Sequence, residues 1–242
     1  MSAALALLFQ GLLALQPPAT LPAHGIYGSQ TTALDAAYFS PQPVSVTSPN
    51  GESTAVASHD DDRDTFAIEV SGALGEGRFQ VASGPNQEMM WSPDSKALFV
   101  TADNGGTVGT YELTVVGLNH GRLVRRDLSP WLARLFGHPL RCFDPETPNV
   151  AGVTWIGDAH HLLVAVQIQR HSNCDGMGGF KTYEIDPFQP RLLARYGQIE
   201  SKRRFASALG PALMSADDTC AIRPRACWVP QLHAAKSPRL PH

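Results

Sequence analysis

Charge is scarce in this sequence, cysteine is scarcer, and no hydrophobic run is long enough to span a bilayer comfortably. Charged residues make up 17% of the 242, and the formal net charge is -3. Bulk charge therefore gives no reason to expect a nucleic-acid partner. There is no G-x-x-x-x-G-K-[S/T] and no strand-linked G-x-G-x-x-G, which argues against nucleotide chemistry. There is no G-x-S-x-G elbow, so the nucleophile turn of an α/β-hydrolase is absent. No C-x-x-C and no Cys/His spacing of a structural zinc site occurs. The apolar stretch at residues 4–15, ALALLFQGLLAL, is too short for a membrane helix but suits a signal-peptide core. Pro17 and Pro18 break it and the small residues Ala19 and Ala23 follow, although no Lys or Arg precedes it. Residues 1–23 are thus expected to be a signal-peptide-like segment of a periplasmic or secreted protein, with no membrane span in the mature chain. A buried N-terminal helix is the alternative.

What is present points to a folded, turn-rich protein. Apolar residues make up 43%, with Gly 21 and Pro 19, which favours β structure. Residues 200–242 carry 7 basic and 3 acidic side chains, while the rest of the chain is net acidic. Such a tail is expected to be a solvated or partly ordered end.

The strongest signal is an internal repeat. VSVTSPNGESTAVASHDDDRDTFAIEVSG begins at Val44, MMWSPDSKALFVTADNGGTVGTYELTVVG at Met89, and VTWIGDAHHLLVAVQIQRHSNCDGMGGFKTYEIDP at Val153. Each opens on an apolar stretch and a polar turn: Ser48-Pro49-Asn50-Gly51, Ser92-Pro93-Asp94-Ser95 and Ile156-Gly157-Asp158-Ala159. A β-branched apolar run follows, then a loop, then Thr-aromatic-x-aliphatic: Thr65-Phe66-Ala67-Ile68, Thr110-Tyr111-Glu112-Leu113 and Thr182-Tyr183-Glu184-Ile185. That alternation suits a half-buried strand. A last element opens on Gly77-Arg78-Phe79, Gly121-Arg122-Leu123 or Pro190-Arg191-Leu192. Each copy thus reads as four antiparallel strands. One such sheet has two apolar faces, and stacking neighbours is how they are buried. The expected fold is all-β: a propeller-like array of three four-stranded blades at 42–84, 88–128 and 150–197. A two-layer sandwich does not explain an ordered four-part repeat.

The turn, the apolar strand and the T-Y-x-L strand resemble the TolB-like, WD-type β-propeller repeats of bacterial exported proteins. Ser92, Pro93, Asp94, Leu98, Val100, Tyr111 and Leu113 carry the likeness, with Ser48, Pro49, Asn50 and Gly51 in the first copy. The third copy departs from it, with Ile-Gly-Asp for Ser-Pro-Asp. The resemblance implies a fold far more than a function, since such repeats serve binding proteins, assembly factors and enzyme side domains.

Three blades are fewer than the four to eight of a typical closed ring. A degenerate fourth blade would have to come from residues 20–41 and 198–230; otherwise the array is open, and 198–242 includes a partly disordered tail. Within the insertion at 129–149, Ser129–Gly137 has helical spacing, with Pro130 suited to its start and Gly137 to its end. It is expected to pack over a blade edge, with a partner-docking helix as the alternative.

Candidate chemistry is thin. Cys142, Cys174, Cys220 and Cys227 allow three disulfide connectivities, of which Cys142–Cys174 with Cys220–Cys227 would staple long loops. Asp60, Asp61, Asp62 and Asp64 are weak calcium candidates, but Arg63 competes for them and the spacing is not that of an EF-hand. A solvated acidic hairpin is expected. His160 and His161 point to opposite faces of a strand, and His171, Cys174 and Asp175 make a poor zinc set. No catalytic residue, cofactor or metal is assigned. Arg78, Arg122 and Arg191 read as equivalent positions, each capping its own blade. The leading expectation is a non-enzymatic propeller-type interaction scaffold with an unidentified protein partner; a hydrolase or lyase of propeller type, or an accessory domain of one, is the alternative.

Overall fold

In a computed structural model, residues 24–40, 42–60, 62–105, 110–119, 122–137, 142, 146–157 and 160–219 are described. A short strand, β1 (Thr32–Ala33), and a one-turn helix, α1 (Asp35–Phe39), lead into the first blade. That blade is β2 (Val44–Thr47), β3 (Ser53–Asp60), β4 (Thr65–Gly72) and β5 (Gly77–Val81). The second is β6 (Gln87–Trp91), β7 (Ala97–Asp103), β8 (Tyr111–Asn119) and β9 (Arg122–Asp127). After α2 (Ser129–Phe136) comes the third: β10 (Asn149–Ile156), β11 (His161–Gln167), β12 (Phe180–Asp186) and β13 (Arg191–Gly197). Each is an antiparallel meander in sequence order, and β1 adds to the β6 edge of the second. The fold is a propeller-like array of three blades.

The repeated turn is built by one hydrogen-bond pattern, used twice. The Ser48 hydroxyl donates to Asn50 Oδ1 at 2.8 Å and accepts from the Ser53 N–H, while Asn50 Oδ1 accepts from the Glu52 N–H. In the second blade Ser92 donates to Asp94 Oδ1 at 2.6 Å and accepts from the Ala97 N–H, and Asp94 accepts from the Lys96 N–H. The fourth residue of the turn is left-handed in both, Gly51 (φ 76°) and Ser95 (φ 61°); in the third copy the left-handed residue is Gly157 (φ 68°), two places earlier, where the others have proline. Asp158 lies outside the described residues.

Stacking is apolar and runs in sequence order. Ala55, Ala57, Phe66 and Ile68 of the first blade meet Met89, Trp91, Leu98 and Val100 of the second. Phe99, Leu113 and Val115 of the second meet Trp155, Leu162, Val164 and Tyr183 of the third. Two indoles tie the joints: Trp91 Nε1 donates to the Val46 carbonyl at 3.0 Å, and Trp155 Nε1 to the Met90 carbonyl at 3.3 Å. These pairs are equivalent, since Trp91 opposes Leu98 and Trp155 opposes Leu162. In the first blade, before which no other blade lies among the described residues, the same place is held by exposed Thr47, opposite Thr54.

The two ends of the stack differ. The outer face of the first blade presents Ser45, Thr47, Glu69, Arg78 and Gln80, all exposed. Such a face needs no apolar neighbour. The far face of the third blade is apolar, and Leu163, Ala165 and Phe180 are buried there under Tyr27, Leu209 and Leu213. The cover comes from the N-terminal segment and from α3 (Gln198–Phe205) and α4 (Pro211–Met214). Residues 198–219 are therefore mainly helical, where a degenerate fourth blade would need strands. Helix α2 lies on the joint between blades two and three, with Leu132 and Phe136 buried in it. Cys142 and Cys174 form a disulfide, pinning the insertion to the long third-blade loop. Cys220 and Cys227 lie outside the described residues. Replacing both Cys142 and Cys174 with Ser is expected to lower stability by about 2–3 kcal/mol. Urea unfolding of the variant and of the reduced parent should agree, and an unchanged midpoint in both would contradict the staple.

Two register readings are corrected. Phe66 opposes His59 and Tyr111 opposes Asp103, and the equivalent place in the third blade opposes Gln167. That place holds Phe180, not Tyr183, which opposes Val164 three residues away. An odd slip reverses the face, so Phe66, Tyr111 and Phe180 look forward along the stack while Tyr183 looks back. The arginines are not equivalent either: Arg78, Arg122 and Arg191 oppose Glu69, Asn119 and Asp186, which stand at different levels of the third strand because the hairpin loops differ in length.

Candidate functional site

On the axial side of the array, beside the start of β6, the start of β10 and the segment before β1, a pocket of about 520 Å³ opens. It is lined by Ile26 and Tyr27 from the N-terminal segment, Asn86 and Asp103 from blade two, and Asn149, Gln167 and Gln169 from blade three. Tyr111 forms part of the wall, with Arg170, His171 and Ser215 toward the cap. A smaller chamber of about 80 Å³ shares Ile26, Asn86 and Tyr111 with it and is also lined by Asp35, Gln87 and Glu88.

The wall is fixed by hydrogen bonds. Asn149 Nδ2 donates to Tyr27 Oη at 2.9 Å, and Tyr27 donates on to Gln167 Oε1 at 3.2 Å. Gln167 Nε2 donates to the Gly178 carbonyl. Gln169 Nε2 donates to Thr110 Oγ1 and the Thr147 carbonyl. Asn86 donates to Asp103 Oδ2, whose other oxygen accepts from the Gly105 N–H. Arg170 donates to the Ala212 carbonyl and Ser215 Oγ. The rings of Tyr27 and Tyr111 meet edge to face, centroids 4.9 Å apart. Burial and nearby negative charge push both phenols above their ordinary range.

Glu88 organises the floor. Only 2% exposed, it accepts from the N–H groups of Tyr27 (3.2 Å) and Gly28 (3.3 Å) and from the Thr31 hydroxyl (2.5 Å). A carboxylate thus clasps the turn that leads into β1. Gly25 is needed beside it, since a Cβ there would fall 1.6 Å from Glu88 Oε2. Burial pushes the Glu88 carboxyl up to about 7.

Of the residues singled out from sequence, Tyr111 and His171 line the pocket and the others fall elsewhere. Asp60 meets Arg63 at 3.4 Å, and Asp64 accepts from Ser83 at 3.0 Å. Asp62 is exposed, and Asp61 lies outside the described residues. His161 approaches Glu184 at 3.2 Å on blade three, away from the axis. Sequence reasoning missed Tyr27, Asn86, Glu88, Asn149, Gln167 and Gln169. The available signal was polar residues inside otherwise apolar inner strands, as in Gln87-Glu88-Met89-Met90.

No protein-family model matches the chain. No curated protein sequence matches it either. Among solved structures, the chain is similar to the Pyrococcus horikoshii acylaminoacyl peptidase at 14% identity and a TM-score of 0.35, covering 67% of this chain and 26% of that one. A protein assigned as a 6-phosphogluconolactonase from Bacteroides uniformis matches at 15% identity and 0.31, covering 62% and 38%. The β-propeller domain of the Trilobed protease from Pyrococcus furiosus, which has an open velcro topology, matches at 9% and 0.20, covering 62% and 55%. The chain spans little more than half of the last of these and less of the others.

Proposed function

We propose that the chain is a non-enzymatic, propeller-type interaction scaffold of the periplasm or secreted space, and that its axial pocket is the recognition site. The observation that carries this is the pocket itself. A cavity of about 520 Å³ is in the range of small-molecule sites, and four amide side chains converge on it. Asn149, Gln167 and Gln169 are already oriented by the fold, so little ordering cost is left for binding. The disulfide suits an oxidising compartment. Among the described residues, no helix is long and apolar enough to cross a membrane.

The test is a thermal-shift panel of amines, amino acids, sugars and carboxylates on the intact protein and on Gln169→Leu. One ligand class should raise the Tm of the parent and leave the variant unmoved. The same proteins are offered peptide, ester and lactone substrates. Turnover that vanishes in Gln169→Leu would replace the scaffold reading with an enzymatic one.

A further inference from the structure

We infer that the axial pocket receives one neutral hexose ring, either a free sugar or the end unit of a glycan. This rests on the axial pocket being the recognition site. Gln169 is the residue that points to a ligand. Its side chain is 7% exposed, and its Nε2 donates to Thr110 Oγ1 at 2.9 Å and to the Thr147 carbonyl at 3.2 Å, which fixes the amide's orientation. Its Oε1 accepts no hydrogen bond among the described residues, yet it is not sealed from solvent. Gln169 lines the axial pocket and not the smaller chamber, so that oxygen is offered to the axial pocket. Asp103, 5% exposed, lines the same pocket. Each of its oxygens accepts one hydrogen bond, from Gly105 and from Asn86, which leaves roughly half of a carboxylate's acceptor sites.

Donors stand among these acceptors. Asn149, 6% exposed, spends one of its two amide hydrogens on Tyr27. Arg170 spends one terminal nitrogen on Ala212 and Ser215 and keeps the rest of its guanidinium. A wall of acceptors alone would suit a cation, and a wall of donors alone an anion. A mixed wall suits hydroxyl groups, each of which donates and accepts. The formal charges of the lining, Asp103 and Arg170, cancel. Asp103 ends β7 of blade two and Arg170 is tied to the cap, so they do not form the compact pair that an amino acid would need. Tyr111 is half-buried against Tyr27, and an aromatic ring is the surface that buries the apolar C–H face of a sugar. At a water's share of about 30 Å³ per heavy atom, the twelve heavy atoms of a hexose take about 360 Å³ and the twenty-three of a disaccharide about 690 Å³. The pocket, at about 520 Å³, holds the first and not the second.

Isothermal titration of the full chain with glucose, galactose, mannose, their methyl glycosides, maltose and lactose, and the corresponding uronates and 6-aminohexoses tests this. At least one neutral sugar is expected to bind, roughly tenfold or more tighter than its charged counterparts, and to weaken by a similar factor in Gln169→Leu and in the milder Asp103→Asn. Both variants are first shown to melt cooperatively, and Asp103→Asn, which keeps the shape of the side chain, carries the test if Gln169→Leu does not fold. Binding of a disaccharide or methyl glycoside as tight as that of the free sugar supports the end of a glycan as the source, and binding of the free sugar alone supports a monosaccharide. Equal binding of a uronate or an aminohexose, or undiminished sugar binding in both variants, overturns the proposal. If an amino acid or carboxylate of the thermal-shift panel binds in a manner lost in Gln169→Leu while no sugar binds, the sugar assignment fails and the pocket reading stands. If no member of either panel binds, both fail.

Discussion

Phe99→Ala is expected to lower the free energy of unfolding by about 3–5 kcal/mol, the range for emptying a well-packed core site of a ring. Phe99 is fully buried at the centre of β7 and faces the third blade. Its ring lies against the backbone of Gly152, where a Cβ would sit 2.4 Å from it, and 6.0 Å, centroid to centroid, from Trp155. Gly152 has no side chain to move into the void, and the strand bulges just after it. The joint therefore cannot collapse, and the cost belongs at the upper part of that range. Urea unfolding followed by circular dichroism reads it as a shift in midpoint. Phe39→Ala, at a site 74% exposed, is the control and should cost less than about 1 kcal/mol. A Phe99→Ala cost no greater than the control's would mean that the blades do not stack through this face.

The second large effect is on pH dependence. The folded Glu88 carboxyl sits at about 7 against an ordinary 4.5, with burial the main cause. The folded state therefore binds a proton more tightly than the unfolded chain. The stability this contributes is fully present below about 4.5 and is lost as pH rises toward and through about 7. The full span is roughly 3 kcal/mol, at about 1.4 kcal/mol per pH unit. Geometry supports the sign. Once protonated, Glu88 can donate to the Thr31 hydroxyl, freeing that hydroxyl's single hydrogen for the Gly28 carbonyl 2.7 Å away. Unfolding free energies measured from pH 4.5 to 8 should fall with rising pH, and Glu88→Gln should flatten the slope. An unchanged slope in Glu88→Gln would place its origin elsewhere.

The blades were legible in the sequence because each strand carries its own period and each turn its own chemistry. Ser48/Asn50 and Ser92/Asp94 announce the hydrogen-bond network they make. Disulfide pairing was read only as a favoured choice among three, and Cys142–Cys174 is the pair that forms. Register inside the third blade was not legible. Thr182-Tyr183 copies the motif of Thr110-Tyr111, yet the longer loop after Gln167 shifts the pairing, and Phe180 takes the place. Composition does not record such a slip. The axial pocket was hidden for another reason. Glu88 finds its donors at Tyr27, Gly28 and Thr31, some sixty residues earlier, in a stretch without periodicity. The helical cap at 198–219 lacks an apolar repeat of its own and takes its place from the exposed face of blade three, which it covers.

Native-state hydrogen exchange, read strand by strand, tests the stacking of three blades most directly. Amides of Ala55–Ala57, Leu98–Ala102 and Leu162–Val166, at the centres of the three sheets, should exchange only through global unfolding, with one common free energy. The outer strands β5, β9 and β13 should open earlier. If any one of those central segments exchanges at the rate of an unstructured peptide while the other two stay protected, the blades are not joined as described.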